Sequence, residues 1–290
     1  QDAWEKLVGV QEVMLGRQSD ADERIATLHR IVEIAEQRIG NFEMAFLWMQ
    51  RALLEDPLHD HTSMEVERLA AVVNGWPALA WTYAQVIEAQ QQKDAKVTLG
   101  KRLARVYEEE LSDVGRAEET YRYVVSVDDR DQDVLAALDR IYSENGAGHG
   151  LAEVLRKRVA ATSDTEEKAE LMQRLGNVLY NDVGNTAEAT EVFRKILETQ
   201  PDREDTLRAL QNVYLVTQDW VQLYDVYAKE LDVVVGDSVQ AQILGRMAML
   251  SWTKLSDLDR AVQLLKRVLD LLGEDAEALN ALGNIYALTE

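Results

Sequence analysis

Three aspartates at alternate positions, Asp129, Asp131 and Asp133, start like the loop of a calcium-binding EF-hand, where side-chain oxygens two residues apart converge on a hard cation. The pattern then fails. Val134 stands where the sharp turn needs glycine, and Arg140 replaces the glutamate that would close the shell, so a solvated acidic loop is expected. His59 and His61 flank Asp60 without a third ligand nearby in sequence, which fits exposed loop histidines better than a metal site. No H-E-x-x-H, G-x-S-x-G or G-x-x-x-x-G-K-[ST] occurs, and Gly148-His149-Gly150 has no strand before it to make a phosphate cradle. The absence of cysteine removes thiolate metal sites, thiol nucleophiles and disulfides together. Carboxylates are so numerous that no pair is singled out for glycoside chemistry. The expectation is a protein with no catalytic residue, no metal ligand and no cofactor.

Charge narrows the partners. The chain has 290 residues, with 52 Asp+Glu against 31 Lys+Arg and a formal net charge of −21. Nucleic acid binding draws on phosphate neutralisation by a basic face, so DNA is not an expected partner. Arg156-Lys157-Arg158 is the local exception, and Glu153, Glu166 and Glu167 around it suggest an ordinary solvated helix face. Apolar runs such as 69–73 and 45–49 are far shorter than the roughly 20 residues that cross a bilayer, so membrane insertion is not expected. The compartment stays unknown for what reads as a soluble segment, with the cytoplasm favoured over the periplasm.

These side chains would be carried by helices. Three prolines and 7% aromatic residues leave few strand formers, whereas Ala, Leu, Glu, Gln and Arg abound. Alanine recurs at 45, 117, 189 and 261, every 72 residues. Four residues after each comes Met49, Tyr121, Phe193 or Leu265, and four later Leu53, Val125, Leu197 or Leu269, a helical stripe repeated in register. Asn41, Asp113, Asn185 and Asp257 precede the alanines by four residues, where they suit helix N-caps. Asp20 with Glu23, and Asp164 with Glu167, fit the capping box. In the third period the helices should run approximately 150–161, 165–181, 186–199 and 203–217. Trp4, Trp76 and Trp220 open the first helix of three periods, where they are expected to pack between hairpins, and Gly148 holds that place in the other.

The residues now resemble the tetratricopeptide repeat (TPR) superfamily: Leu175-Gly176 with Leu179, then Ala189, Phe193 and Pro201, and Leu282-Gly283-Asn284-Ile285-Tyr286 as another first helix. Two features depart from that family: the loop between second and third helices is one residue longer, and tryptophan opens most periods. The resemblance implies an all-α, right-handed α-solenoid of antiparallel helix pairs, about sixteen helices in four 72-residue periods (approximately 3–74, 75–146, 147–218 and 219–290). It reads as a single TPR-like domain over 1–290, a section of a longer repeat protein.

In such a solenoid the first helix of each hairpin lines a concave groove. The resemblance therefore nominates Asn177, Tyr180, Asn181, Arg208, Asn212, Met249, Trp252, Asn280 and Asn284 as peptide-binding residues. Amides and a guanidinium one turn apart can hydrogen-bond an extended backbone, and Tyr180, Met249 and Trp252 add apolar contact. Arg208 and Asn212 also imitate the start of a carboxylate clamp, but Arg246 stands where the clamp would want asparagine. The expected function is a non-catalytic protein-interaction scaffold for a neutral or basic protein or peptide segment. The alternatives are a half-a-TPR-like scaffold of an RNA-processing assembly or an α/α-toroid enzyme. Adding 288 to Trp4 continues the register six residues beyond Tyr286, so end-to-end self-association is expected too.

Overall fold

The computed structural model describes residues 2–289, and among these it contains α-helices and π turns but no strand. It divides into two compact units, Gln1–Asn145 and Gly146–Glu290. The first holds α1 (Asp2–Leu15), α2 (Ala21–Glu33), α3 (Phe42–Glu55), α4 (Asp60–Val73), α5 (Trp76–Ala89), α6 (Lys93–Arg105), α7 (Val114–Val127) and α8 (Gln132–Asn145). The second holds α9 (Gly148–Ala161), α10 (Thr165–Val178), α11 (Thr186–Thr199), α12 (Glu204–Thr217), α13 (Trp220–Val233), α14 (Asp237–Thr253), α15 (Leu258–Leu272) and α16 (Ala276–Thr289). Within each unit, helices pack chiefly on their neighbours in sequence, as stacked hairpins do.

Local chemistry sets the helix starts. Asn41, Asp113, Asn185 and Asp257 each accept a hydrogen bond from the backbone N–H three residues on, at 2.8, 3.0, 3.2 and 3.0 Å. Asp20 and Asp164 do the same for Glu23 and Glu167. Such a cap is worth about 1 kcal/mol over alanine. The alanines four residues later are wholly buried, at 0% exposure for Ala45, Ala117, Ala189 and Ala261, so no larger side chain separates the crossing helices.

The additional residue between second and third helices is taken up by the helix, not by the loop. α2, α6 and α10 end in π turns, Ile34–Ile39, Val106–Glu110 and Leu179–Val183, a wider winding that accommodates one more residue. The chain then reverses through a left-handed residue, Gly40, Ser112, Gly184 and Ser256, with φ of 75°, 52°, 74° and 56°. The cap N–H of Asn41, Asp113, Asn185 or Asp257 closes the turn on a carbonyl six residues back, at 2.7 to 2.9 Å.

The tryptophans are less enclosed than expected. Trp4 is 37% exposed, with the Arg38 guanidinium 5.3 Å from its ring, and Lys254 lies 5.0 Å from half-buried Trp220, a matching arrangement. Each cation adds about 0.5–1 kcal/mol by attraction to the ring face. At the corresponding place in the third period the pair is Gly148 and Asp182, and a Cβ on Gly148 would meet the Asp182 Cβ at 2.7 Å. Glycine there lets the two segments close up.

Candidate functional site

Five of the nine residues nominated from sequence come together in the second unit. Asn177, Tyr180 and Asn181 from α10 and its π turn, and Arg208 and Asn212 from α12, line one cavity of about 360 Å³ with Gln173, Phe193, Asp205 and Ala209. The 3.6-residue period places 177, 180 and 181 on one face of the first element, and 205, 208, 209 and 212 on one face of the second. Phe193 reaches in from α11 and makes the apolar wall. Among the described residues, the amides of Asn177, Asn181 and Asn212 have no protein hydrogen-bond partner, so their donors and acceptors are open to a ligand.

The cavity floor is fixed by a buried hydrogen bond, Thr206 Oγ1 donating to Gln173 Oε1 at 2.6 Å. Arg208 is turned towards Glu204, at 2.7 Å, and Asp205 is held by Arg203 at 3.1 Å. With Asp205 and Glu204 beside it, Arg208 does not make the cavity cationic. That charge balance suits a neutral backbone or a basic side chain better than a terminal carboxylate.

One period further on, the equivalent place is a different kind of cavity. It measures about 480 Å³ and is lined by Gly245, Arg246 and Met249 of α14, Leu265, Val268 and Leu272 of α15, and Asp275, Ala278 and Ala281 around α16, among others. Gly245 and Ala278 stand where Gln173 and Thr206 form their hydrogen bond, and Leu265 where Phe193 stands. Three smaller side chains leave an apolar hollow with Arg246, Asp275 and Glu277 at its rim. Met249 joins this second cavity. Trp252, Asn280 and Asn284 line neither: Trp252 is half-buried on α14 and the two asparagines are exposed on α16.

The sequence reading missed Gln173, Asp205, Gly245 and Ala278. The signal was present as a break in the 72-residue pattern, Gln to Gly and Thr to Ala at matched positions, but its effect on volume depends on three helices at once.

The rejected metal motifs have definite structural roles. Lys101 Nζ donates to Asp131 and Asp133 at 3.0 and 2.7 Å, and Asp131 also caps α8 through the Val134 N–H, so an ammonium occupies the acidic cluster. His59 and His61 are not loop residues alike. His59 accepts from Thr62 N–H as the cap of α4, His61 lies in its first turn, and His29 of α2 joins them with ring centroids 5.4 and 5.2 Å away. His29 Nε2 is 2.9 Å from Thr62 Oγ1, and burial followed by repulsion from His61 and His59 lowers its pKa. Among the described residues no group of His, Cys, Asp or Glu is disposed to hold a metal ion. In the basic cluster, Arg156 pairs with Glu188 at 2.7 Å.

Neither a family model nor a curated protein matches the chain. Among solved structures, it is similar to a chain in "Structure of Naa15/Naa10 bound to HypK-THB", with a TM-score of 0.51, 12% identity, and coverage of 91% of this chain and 39% of that one. The C-terminal part of a TPR repeat-containing protein from Cytophaga hutchinsonii is similar at a TM-score of 0.39 and 15% identity, over 87% of this chain and 98% of that one. YrrB, described as a TPR protein with an unusual peptide-binding site, is similar at 0.38 and 14%, over 69% and 96%. A likeness at this level of identity shows the fold alone, and in each unit that fold is a stack of antiparallel helix pairs. No helix among the described residues is long and apolar enough to cross a membrane.

Proposed function

We propose that this solenoid is a non-catalytic scaffold that binds an extended protein segment, neutral or basic, along α10, α12, α14 and α16. The observation that carries the reading is the convergence of three unpartnered asparagine amides with Tyr180 and Arg208 on one cavity. Amides at this spacing can pair with the N–H and C=O groups of an extended backbone. The second cavity would take a bulky apolar side chain, and Asp275 and Glu277 beside it favour a neighbouring Lys or Arg. An acidic segment would approach against a net charge of −21.

The test uses peptides selected on the chain from a random phage-displayed library. Replacing Asn177, Arg208 and Asn212 together by alanine should weaken the selected peptides by about 0.5–1.5 kcal/mol per lost hydrogen bond, with unchanged circular dichroism. Equal binding by the triple variant, or failure of the wild-type chain to select any peptide, would sink the reading.

A section of a larger assembly scaffold is the second reading. It is supported by the likeness to a chain from an assembly of several proteins, of which this chain spans 39%. For an RNA-processing assembly, affinity for RNA falling steeply with salt would be the discriminating result.

A further inference from the structure

The turns that follow α2, α6, α10 and α14 are closed by the same backbone bond. The N–H of Asn41, Asp113, Asn185 and Asp257 meets the carbonyl of Ala35, Tyr107, Leu179 and Ser251 respectively. The residue after each of these carbonyls, Glu36, Glu108, Tyr180 or Trp252, therefore leaves the backbone at a matching place in every period. What it carries differs between the two units.

In the first unit that place holds a glutamate, and the next even-numbered helix answers with an arginine. Glu36 pairs with Arg68 at 2.6 Å, and Glu108 pairs with Arg140. The matches of Arg68 and Arg140 in the second unit are Asn212 and Asn284. Tyr180 with Asn212, and Trp252 with Asn284, thus stand where the first unit has ion pairs. Nearby positions follow suit: Glu33 and Arg105 are matched by Asn177 and Met249, and Glu109 by Asn181. Both members of each pair differ together, so no unpaired ion remains.

The second unit thereby has an uncharged strip in a chain of which 29% of residues are charged, and such a strip matches an uncharged ligand. Tyr180 and Trp252 are half-buried. The Tyr180 hydroxyl, the Trp252 indole N–H and the Asn212 amide have no protein hydrogen-bond partner among the described residues. Ring faces offer apolar contact, and open N–H and O–H groups call for acceptors. A proline-rich segment presents pyrrolidine rings and backbone carbonyls, with no N–H at its prolines to satisfy. It holds the polyproline II form before binding, so it loses little entropy on docking.

Spacing agrees with that ligand. Tyr180 and Trp252 are two even-numbered helices apart, about 16–20 Å at an interaxial distance of about 8–10 Å. That is about six residues, or two turns, of polyproline II, so prolines at i and i+6 face the same side.

We infer that the groove of the second unit takes an uncharged, proline-rich segment in polyproline II form, one proline meeting Tyr180 and Asn212 and another meeting Trp252 and Asn284. The inference rests on the scaffold reading above and names the ligand of that same surface. The first unit, whose groove helices are tied by Glu36–Arg68 and Glu108–Arg140, takes no part in it.

Fluorescence anisotropy with labelled dodecaproline, and with a glycine–serine peptide of the same length, tests the inference on the full chain. Dodecaproline should bind saturably below millimolar concentration, and the glycine–serine peptide should not. Tyr180→Leu and Trp252→Leu should each weaken dodecaproline by about tenfold. Tyr180→Glu with Asn212→Arg copies Glu108 and Arg140, and should abolish saturation. Arg68→Ala, in the first unit, should leave the affinity unchanged. Circular dichroism confirms that each variant folds, and the comparison of the two peptides on the wild-type chain needs no variant. No saturable binding of dodecaproline, equal binding of the glycine–serine peptide, or full binding by the Glu–Arg variant would overturn the inference. So would a loss of binding in Arg68→Ala. Phage-selected peptides that lack proline yet weaken on the triple alanine change at Asn177, Arg208 and Asn212 would overturn this ligand and leave the scaffold reading standing.

Discussion

Gly176 of α10 lies against Phe193 of α11 so closely that a Cβ on the glycine would stand 2.3 Å from the ring Cε1. No side-chain atom fits there without displacing the ring. Phe193 also walls the candidate cavity, so this approach of two helices positions Asn177 and Tyr180 relative to α12. One period later the same two positions hold Ala248 and Leu265, 1% and 3% exposed, a larger residue facing a smaller one.

Gly176→Ala should therefore destabilise by overpacking, about 1–3 kcal/mol, less about 1 kcal/mol regained in helix propensity. Phe193→Leu alone should leave a void. The double variant should recover at least about 0.5 kcal/mol relative to the sum of the singles. Urea midpoints of the four proteins measure the coupling, and additive effects would show that the helices relax apart.

The left-handed position before each cap offers a cleaner backbone test. A Cβ at Gly184 would meet nothing within 4 Å, so Gly184→Ala should cost about 1–2 kcal/mol from conformation alone. Ser112, at φ 52°, already bears that strain, and Ser112→Gly should be neutral or stabilising by up to about 1 kcal/mol. Thermal unfolding of both variants should move the midpoint in opposite directions. A loss in both would mean that the Ser112 side chain contributes more than its backbone strain costs.

Acid should weaken the first unit through His29. Its folded pKa lies below the ordinary value of 6.5, because burial, then His61 and His59, disfavour the imidazolium, with Glu65 opposing. The unfolded chain therefore binds the proton first, and stability rises with pH through this window. The contribution is complete above about 6.5 and declines as pH falls from there through the lowered pKa. His29→Asn should flatten that part of the stability–pH curve. An equally steep curve in the variant would assign the dependence to other groups.

Filling the second cavity should separate volume from backbone recognition. Gly245→Gln with Ala278→Thr copies the Gln173–Thr206 pair, and the new buried hydrogen bond should add about 0.5–1.5 kcal/mol, with a further gain in helix propensity at 245. Chemical denaturation measures the gain. Phage-selected peptides that depend on a bulky apolar residue should lose affinity to this variant, and those without one should not. Retention of both classes would remove the α14–α16 cavity from the binding surface.

Much of this architecture was legible in the amino-acid order. An N-cap such as Asn185 and a helical stripe such as Ala189, Phe193 and Leu197 are decided by forces acting over one or two turns, so sequence neighbours suffice to infer them. The family resemblance chose the groove-lining helices, and the same periodicity then put Asn177, Tyr180 and Asn181 on one face of the first and Arg208 and Asn212 on one face of the second. Packing decided the rest. Asp205 and Gln173 entered the cavity because α10, α11 and α12 converge there; His29 joined His59 and His61 across about thirty residues; and the added residue after α10 became a π turn, not a longer loop. Trp252, Asn280 and Asn284, chosen by the same spacing, line neither cavity, since spacing gives a side chain's angle around its helix and not the distance to the next one. The hollow at Gly245 and Ala278 has the same origin: each is an ordinary small residue alone, and only the fixed separation of three helix axes turns their missing atoms into a shared volume.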